Sequence, residues 1–269
     1  MIRWTGEERF ELGQTTFVTM PPVDLLAGRE TEIGESELFV FKPADEVEYY
    51  VDLIRSREPK RILELGIFGG GSTLFLADIA GASRFVALDI TAVDELREKI
   101  DRLAAANGVG PDVIRLHGGV DQSDTAALDR ICEEDFGGHP IDLIIDDASH
   151  QYLPTLASFN ALFPRLRPGG VYIVEDWRWA HSKFDALPTD GSDPDQVPIT
   201  RLLLEAIAAL AEQPGIVAGL SVEPTKVLIE RGDAEIEPGS FDLAANSNPR
   251  GRTFLGAGAP AARKRGLFR

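Results

Sequence analysis

Cysteine is nearly missing from this chain of 269 residues: it has one, Cys132. A single thiol cannot form an internal disulfide, which fits a reducing compartment. A chain this long buries about 75% of the surface its unfolded form exposes and needs no such staple, so Cys132 is read as a core residue without a catalytic role. Long apolar runs are missing too. No stretch approaches the roughly 18 uninterrupted apolar residues of a membrane span, and the opening MIRWTGEERFELG lacks the apolar centre of a secretory signal. The expectation is a soluble, cytoplasmic protein with no membrane partner. Positive charge is also scarce, with 27 Lys and Arg against 44 Asp and Glu and a formal charge of −17. Such a surface repels phosphate backbones and argues against nucleic acid as a partner. The exception is the tail from Arg250, where Arg252, Arg263, Lys264, Arg265 and Arg269 surround a Gly-Ala-Pro stretch of linker character.

What is present is alternation of strand and helix. Residues 1–44, interrupted by Pro21, Pro22 and Pro43, are read as an N-terminal extension without assigned elements. From Asp45 a helical period places Val47, Tyr50, Val51 and Ile54 on one face. Apolar strands follow at Arg61–Leu65, Phe85–Asp89, Val113–Leu116, Ile141–Ile145 and Val171–Val174, separated by helical segments. A last helix spans about Thr200 to Ala211. Two final strands, near Ile216–Val222 and Lys226–Glu230, are joined only by Glu223-Pro224-Thr225, too short for a crossover helix, so they are antiparallel. The pattern predicts a doubly wound α/β fold whose mostly parallel sheet ends in an antiparallel hairpin. The main domain is set at 45–235, with a lid-like insertion at about 178–199 and a tail at 236–269.

Two regions carry chemistry. After the first strand of the main domain the chain reads Glu64-Leu-Gly66-Ile-Phe-Gly69-Gly70-Gly71-Ser72, a loop at the carboxyl edge of an open sheet, where ligands bind. Glycine there either lets backbone approach a ligand or packs helix on strand. The loop has no Lys-Ser/Thr ending of a P-loop and no GxGxxG spacing. Asp89, at the next strand end, suits a ribose, and Asp121, Gln122 and Ser123 after the third strand suit an adenine; a solvated strand end and a plain turn are the bland alternatives. The second region is Asp146-Asp147-Ala-Ser149-His150 with Glu175-Asp176, at the ends of two very apolar strands. If those strands are neighbours, their tips lie about 5 Å apart. Crowded carboxylates need neutralising, by a hard divalent cation, by partial protonation or by Arg178. His150 is placed to face the same cavity, and imidazole suits proton removal near neutral pH. A capping or surface histidine is its alternative. Trp177 and Trp179 are read either as walls of a cleft or as packing.

Taken together, Glu64–Ser72, Asp146–His150, Leu166-Arg-Pro-Gly-Gly170 and Val174–Asp176 resemble the metal-dependent macrolide-sugar O-methyltransferases of the mycinamicin and macrocin type, and the related cephalosporin hydroxylase-type proteins, over about residues 47–177. The resemblance implies the Rossmann-like class I methyltransferase fold, with S-adenosylmethionine as methyl donor. Glu64, Gly66, Gly69, Gly70, Ser72, Asp89, Asp121, Gln122, Ser123 and Asp146 are the expected donor-binding set. It further implies Mg²⁺ held by Asp147, Glu175 and Asp176, with His150 as the base that deprotonates a sugar hydroxyl. The macrocin type leaves Asp146 or Asp147 open as that base. A small hydroxylated acceptor and a homo-oligomer are the expected partners. The competing classes are a nucleotide-binding oxidoreductase and a non-catalytic donor-binding partner in a natural-product biosynthetic complex.

Overall fold

The computed structural model describes residues 2–20, 28, 32–181 and 197–248. Most of the presumed lid and the basic tail from Arg250 lie outside the described residues. Seven strands form the main sheet: β5 (Arg61–Leu65), β6 (Arg84–Asp89), β7 (Ile114–Gly118), β8 (Ile141–Asp146), β9 (Leu166–Glu175), β10 (Val217–Val222) and β11 (Lys226–Arg231). Their order is β10-β11-β9-β8-β5-β6-β7. Strands β5 to β9 pair in parallel, and β11 lies antiparallel between β9 and β10. This is the doubly wound sheet with a terminal hairpin expected from the alternating pattern. The crossing from β5 to β8 on one side and β6 on the other creates the switch point at which open α/β sheets hold ligands.

Helices cover both faces. On one lie α1 (Ala44–Arg57), α2 (Gly71–Ala80) and α3 (Asp94–Ala106); on the other lie α4 (Thr125–Phe136), α5 (Tyr152–Leu162), α6 (Thr200–Glu212) and a short α7 (Leu243–Ser247). Each core cluster takes alternate residues of the same strands, as the two-residue strand period requires. Ile62, Ile145 and Ile173 face the first cluster, whereas Leu63, Ile144 and Tyr172 face the second. Local signals fix the helix ends. Asp124 caps α4 by accepting a hydrogen bond from the Ala127 amide. Glu58, in left-handed conformation before Pro59, closes α1. Cys132 is buried in the second cluster, and burial pushes its thiol up to about 12, far from a reactive thiolate.

The N-terminal region departs from the sequence reading, which assigns it no element. It forms a second sheet of β1 (Arg3–Gly6), β2 (Arg9–Leu12), β3 (Thr15–Thr19) and β4 (Glu37–Val40), in that order. Phe10 and Phe17 stack at 5.0 Å and both meet the edge of Phe75 on α2. All three are buried, and each contributes about 1.5–3 kcal/mol of apolar burial. Strand β4 then runs along the glycine loop, with Phe39 bridged to Gly70. That path delivers the next residues, Phe41 and Lys42, to the carboxyl edge of the main sheet.

Candidate active site

A cavity of about 560 Å³ opens at this edge, within the range of small-molecule sites. Of the residues singled out in the sequence, Gly66, Gly69, Ser72, Asp89, Asp121, Gln122, Asp147, His150, Glu175 and Asp176 line it. Glu64, Gly70, Ser123 and Asp146 do not. The reason is strand alternation and turn geometry rather than distance along the chain.

Asp146 and Asp147 show this most clearly. Asp146 pairs in register with Val174, so it continues the face of Ile144 and Tyr172 and turns into the second core. There its carboxylate accepts hydrogen bonds from Tyr172 Oη at 2.6 Å, Ser158 Oγ at 2.8 Å and Gln122 Nε2 at 3.1 Å. Burial raises its pKa, and the Tyr172 and Ser158 hydroxyls oppose that rise. Its assignment to the donor site is therefore corrected: it is a buried anchor. Gln122 reaches the cavity wall, but its amide is already shared between Asp146 and the Ser149 amide. Ser123 is turned to Asp121, which accepts from both its amide and its hydroxyl.

Glu64 is likewise interior. Between Leu63 and Leu65 it faces the first core, where Thr73 Oγ1 donates to it. Burial, opposed by hydrogen bonds from Ser72 and Thr73, lifts its pKa to about 7. The glycines also have an intramolecular reason. Gly66 has φ +93°, and a Cβ there would sit 2.3 Å from the Asp147 carbonyl oxygen; at Gly71 it would sit 2.2 Å from that of Phe39. The loop thus makes room for β8 and β4 to close on β5, and in doing so seats Asp147 beside it. The start of α2 carries no side-chain cap, and Ser72 of its first turn faces the cavity. Free amides at a helix N-terminus suit an anion such as a carboxylate. Asp89 accepts from the Ile67 and Phe68 amides at 2.8 and 3.2 Å and from the amide and hydroxyl of Thr91 at 2.8 and 2.7 Å. Although burial opposes ionisation, these donors hold its carboxylate below the usual range. The Thr91 hydroxyl can rotate away and release a lone pair to a ligand hydroxyl.

At the other end, β8 and β9 are neighbours, and the carboxylates converge as expected. Asp147, His150 and Asp176 offer ligand atoms that all lie within 4.8 Å of one another. Among the described residues His150 Nδ1 is buried without a hydrogen-bond partner, and the His150 ring lies 4.6 Å from that of Trp179. Burial, with Asp147 and Glu175 close by, lifts Asp176 to about 8. Burial and Glu175 also raise Asp147, against the pull of Lys42. Phe68, His150 and Asp176 line this cavity with left-handed backbone, φ +46°, +54° and +52°. Such strain costs about 1–3 kcal/mol per residue and clusters at ligand sites.

Glu175 behaves differently from its expected role. Its carboxylate accepts from Lys42 Nζ at 2.5 Å and from Tyr50 Oη, both buried. Burial opposes its charge, but Lys42 and Lys226 hold its pKa below the usual range. Lys42 also reaches Asp147 Oδ2 at 2.9 Å. The side-chain cation that pairs with the cluster is Lys42 of the N-terminal region, whereas the sequence reading offered Arg178 as the alternative to a divalent cation. Lys42, Tyr50 and Phe68 had no site assignment from the sequence. The available signal was a lysine on the inward side, with Val40, of an extended Phe39-Val-Phe-Lys-Pro43 segment whose two phenylalanines both line the cavity. Trp177 and Trp179 divide the two readings offered for them: Trp179 lines the cavity, and Trp177 packs on the second core with its indole donating to the Glu223 carbonyl.

Residues 63–177 match a family model described as a methyltransferase domain. The mycinamicin VI 2''-O-methyltransferase of Micromonospora griseorubida is 37% identical over 126 residues, 43% of this chain and 27% of that protein. The demethylmacrocin O-methyltransferase of Streptomyces fradiae is 31% identical over 153 residues, 54% of this chain and 33% of that protein. The chain therefore matches about a third or less of the length of these relatives. Among solved structures, the MycE methyltransferase of the mycinamycin biosynthetic pathway, in complex with Mg, SAH and mycinamycin VI, superposes with a TM-score of 0.52 at 26% identity. That match covers 73% of this chain and 51% of the other. The O-methyltransferase TomG from Streptomyces achromogenes, at 22% identity and a TM-score of 0.51, shares the fold.

Proposed function

We propose, on the premise that residues 63–177 are a methyltransferase domain, that this chain methylates a hydroxyl of a small polyhydroxylated molecule, a sugar or glycosylated natural product. The donor is S-adenosylmethionine, and the partner of the acidic cluster is a hard divalent cation, Mg²⁺. The observation that carries the reading is one cavity with a ribose-suited carboxylate, Asp89, at one end and Asp147, His150 and Asp176 at the other. The relatives named above are, by name, O-methyltransferases of mycinamicin VI and demethylmacrocin, and MycE was solved with Mg and SAH.

The residues fit both groups. The backbone amides at the start of α2 suit the donor's carboxylate, and Asp89 and Asp121 suit its nucleoside. Asp147 and Asp176 are oxygen ligands of the kind hard dications prefer. When bound, the donor supplies a sulfonium methyl for in-line displacement, and the dication supplies polarisation of the acceptor hydroxyl. The protein's own part is positional and acid–base. His150, with Nδ1 unpartnered among the described residues, takes the hydroxyl proton. The Trp179 ring lies against the imidazole, tilted by 55°, and limits its rotation. Lys42 and Tyr50 hold Glu175, so the tip of β9 stays in place while Asp176 faces the cavity.

The test is methyl transfer from labelled S-adenosylmethionine to a panel of glycosides. Turnover is expected to vanish in EDTA and to return with Mg²⁺. Full turnover without any divalent ion would sink the metal assignment. Thermal stabilisation by NAD and not by S-adenosylmethionine would sink the donor.

A further inference from the structure

The acidic centre contains a cation of its own. Lys42 is 5% exposed and stands between Glu175, at 2.5 Å, and Asp147, at 2.9 Å. Tyr50 donates to the other oxygen of Glu175, so that carboxylate is held from both sides. A second buried lysine, Lys226, pairs with Glu46 at 3.3 Å, and both ammoniums lie over the Tyr50 ring, at 5.5 and 5.6 Å. Two ammoniums thus face four carboxylates: Glu46, Asp147, Glu175 and Asp176. With all four carboxylates ionised, the deficit of two charges equals one dication. It falls on the cavity side, where Asp147 and Asp176 converge with His150.

We propose that Lys42 is a built-in competitor for the divalent cation: it withholds Glu175, shares Asp147, and sets how tightly the cavity binds metal. The inference rests on the metal reading above and adds a positioning residue to it. Three observations carry it. First, the ammonium touches Asp147, a ligand the dication would use, and like charges this close repel strongly in a buried site. Second, both oxygens of Glu175 are engaged, one by Lys42 and one by Tyr50, so its entry into the metal's shell competes with the Lys42 contact. Third, Lys42 is not a floating side chain. It follows β4, which is paired with β3 and bridged to the glycine loop at Gly70, and its amide donates to the Val40 carbonyl at 2.8 Å. The N-terminal sheet therefore sets the position of the competing charge.

The experiment titrates Mn²⁺ into the full chain, with free aquo-Mn²⁺ read by electron paramagnetic resonance and the unfolding midpoint read with and without the ion. Wild type is compared with Lys42→Met, which keeps the apolar stem and removes the charge, and Lys42→Arg, which keeps the charge. Lys42→Met is expected to bind Mn²⁺ about tenfold more tightly or better and to gain more thermal stability from it; Lys42→Arg is expected to stay near wild type. Unchanged or weaker binding by Lys42→Met overturns the proposal, as does a Lys42→Met chain still unfolded at saturating Mn²⁺. Binding by Lys42→Met where wild type binds none supports Lys42 as the resident cation while removing the metal from the wild-type reaction. Binding by neither overturns both readings.

Discussion

Asp146 and Asp147 are chemically identical neighbours with opposite fates. Asp146 is 2% exposed and its carboxylate is occupied by Tyr172, Ser158 and Gln122. Asp147 keeps 28% of its side chain exposed to the cavity and meets Lys42, with Asp176 and His150 close by. One residue of strand register separates a structural carboxylate from one available for chemistry. Being acidic at a sheet's carboxyl edge is therefore not enough to mark a functional residue; the face on which it emerges decides.

The strongest way to break the contrast is to remove each acid in turn. Asp147→Asn is expected to cost on the order of a thousandfold in turnover with little change in unfolding midpoint, as loss of a charge-stabilising ligand would; kinetics on a glycoside acceptor and a melting curve check both halves. His150→Ala is expected to lose about 10²–10⁴-fold, the range of a general base, while donor affinity measured by calorimetry holds. An unchanged rate for His150→Ala would return the base role to an aspartate. Asp146→Ala should invert the pattern. It leaves the Tyr172 and Ser158 hydroxyls without their acceptor and should destabilise by about 1–3 kcal/mol, seen as a lower denaturation midpoint, with turnover per folded molecule close to wild type.

Glu64 sharpens the same point through pH. Its folded pKa, about 7, stands above the ordinary value of 4.5, so the native chain keeps a proton that the unfolded chain releases. The stability this contributes is fully present below the unfolded value and is lost as pH rises through the folded one. Wild type should therefore lose part of its stability between about pH 5 and pH 8. Glu64→Gln, which cannot ionise, should show a flatter profile. Identical profiles for the two would show that Glu64 titrates alike in both states.

The main sheet was legible because its strands are continuous apolar runs flanked by glycine and acid. Ile141–Asp146 and Val171–Glu175 could hardly be anything but buried parallel strands. The short joint Glu223–Thr225 likewise forced the hairpin. The N-terminal sheet was not legible: most of its strands are four residues long, only half-buried, and divided by polar turns that mask their two-residue period. Convergence at the site could be read from the motifs, since Asp147, His150 and Asp176 all sit at strand ends. Facing could not. Sequence alone does not say which of two adjacent aspartates turns inward, and the partner of Glu175 lies 133 positions away in a segment that resembled an appendage.

The pairing of Lys226 with Glu175 across β11 and β9, together with Lys42 ahead of α1, bears on where the functional unit begins and ends. Similarity delimits residues 63–177, yet the charges that balance that segment's acids are supplied from before and after it. An excised 63–177 fragment would carry its carboxylates without Lys42, Tyr50 or Lys226. For transplanting this chemistry into another scaffold, the portable part is a set of charges drawn from three separate stretches of chain, and the segment marked out by similarity holds three of its four carboxylates and neither ammonium.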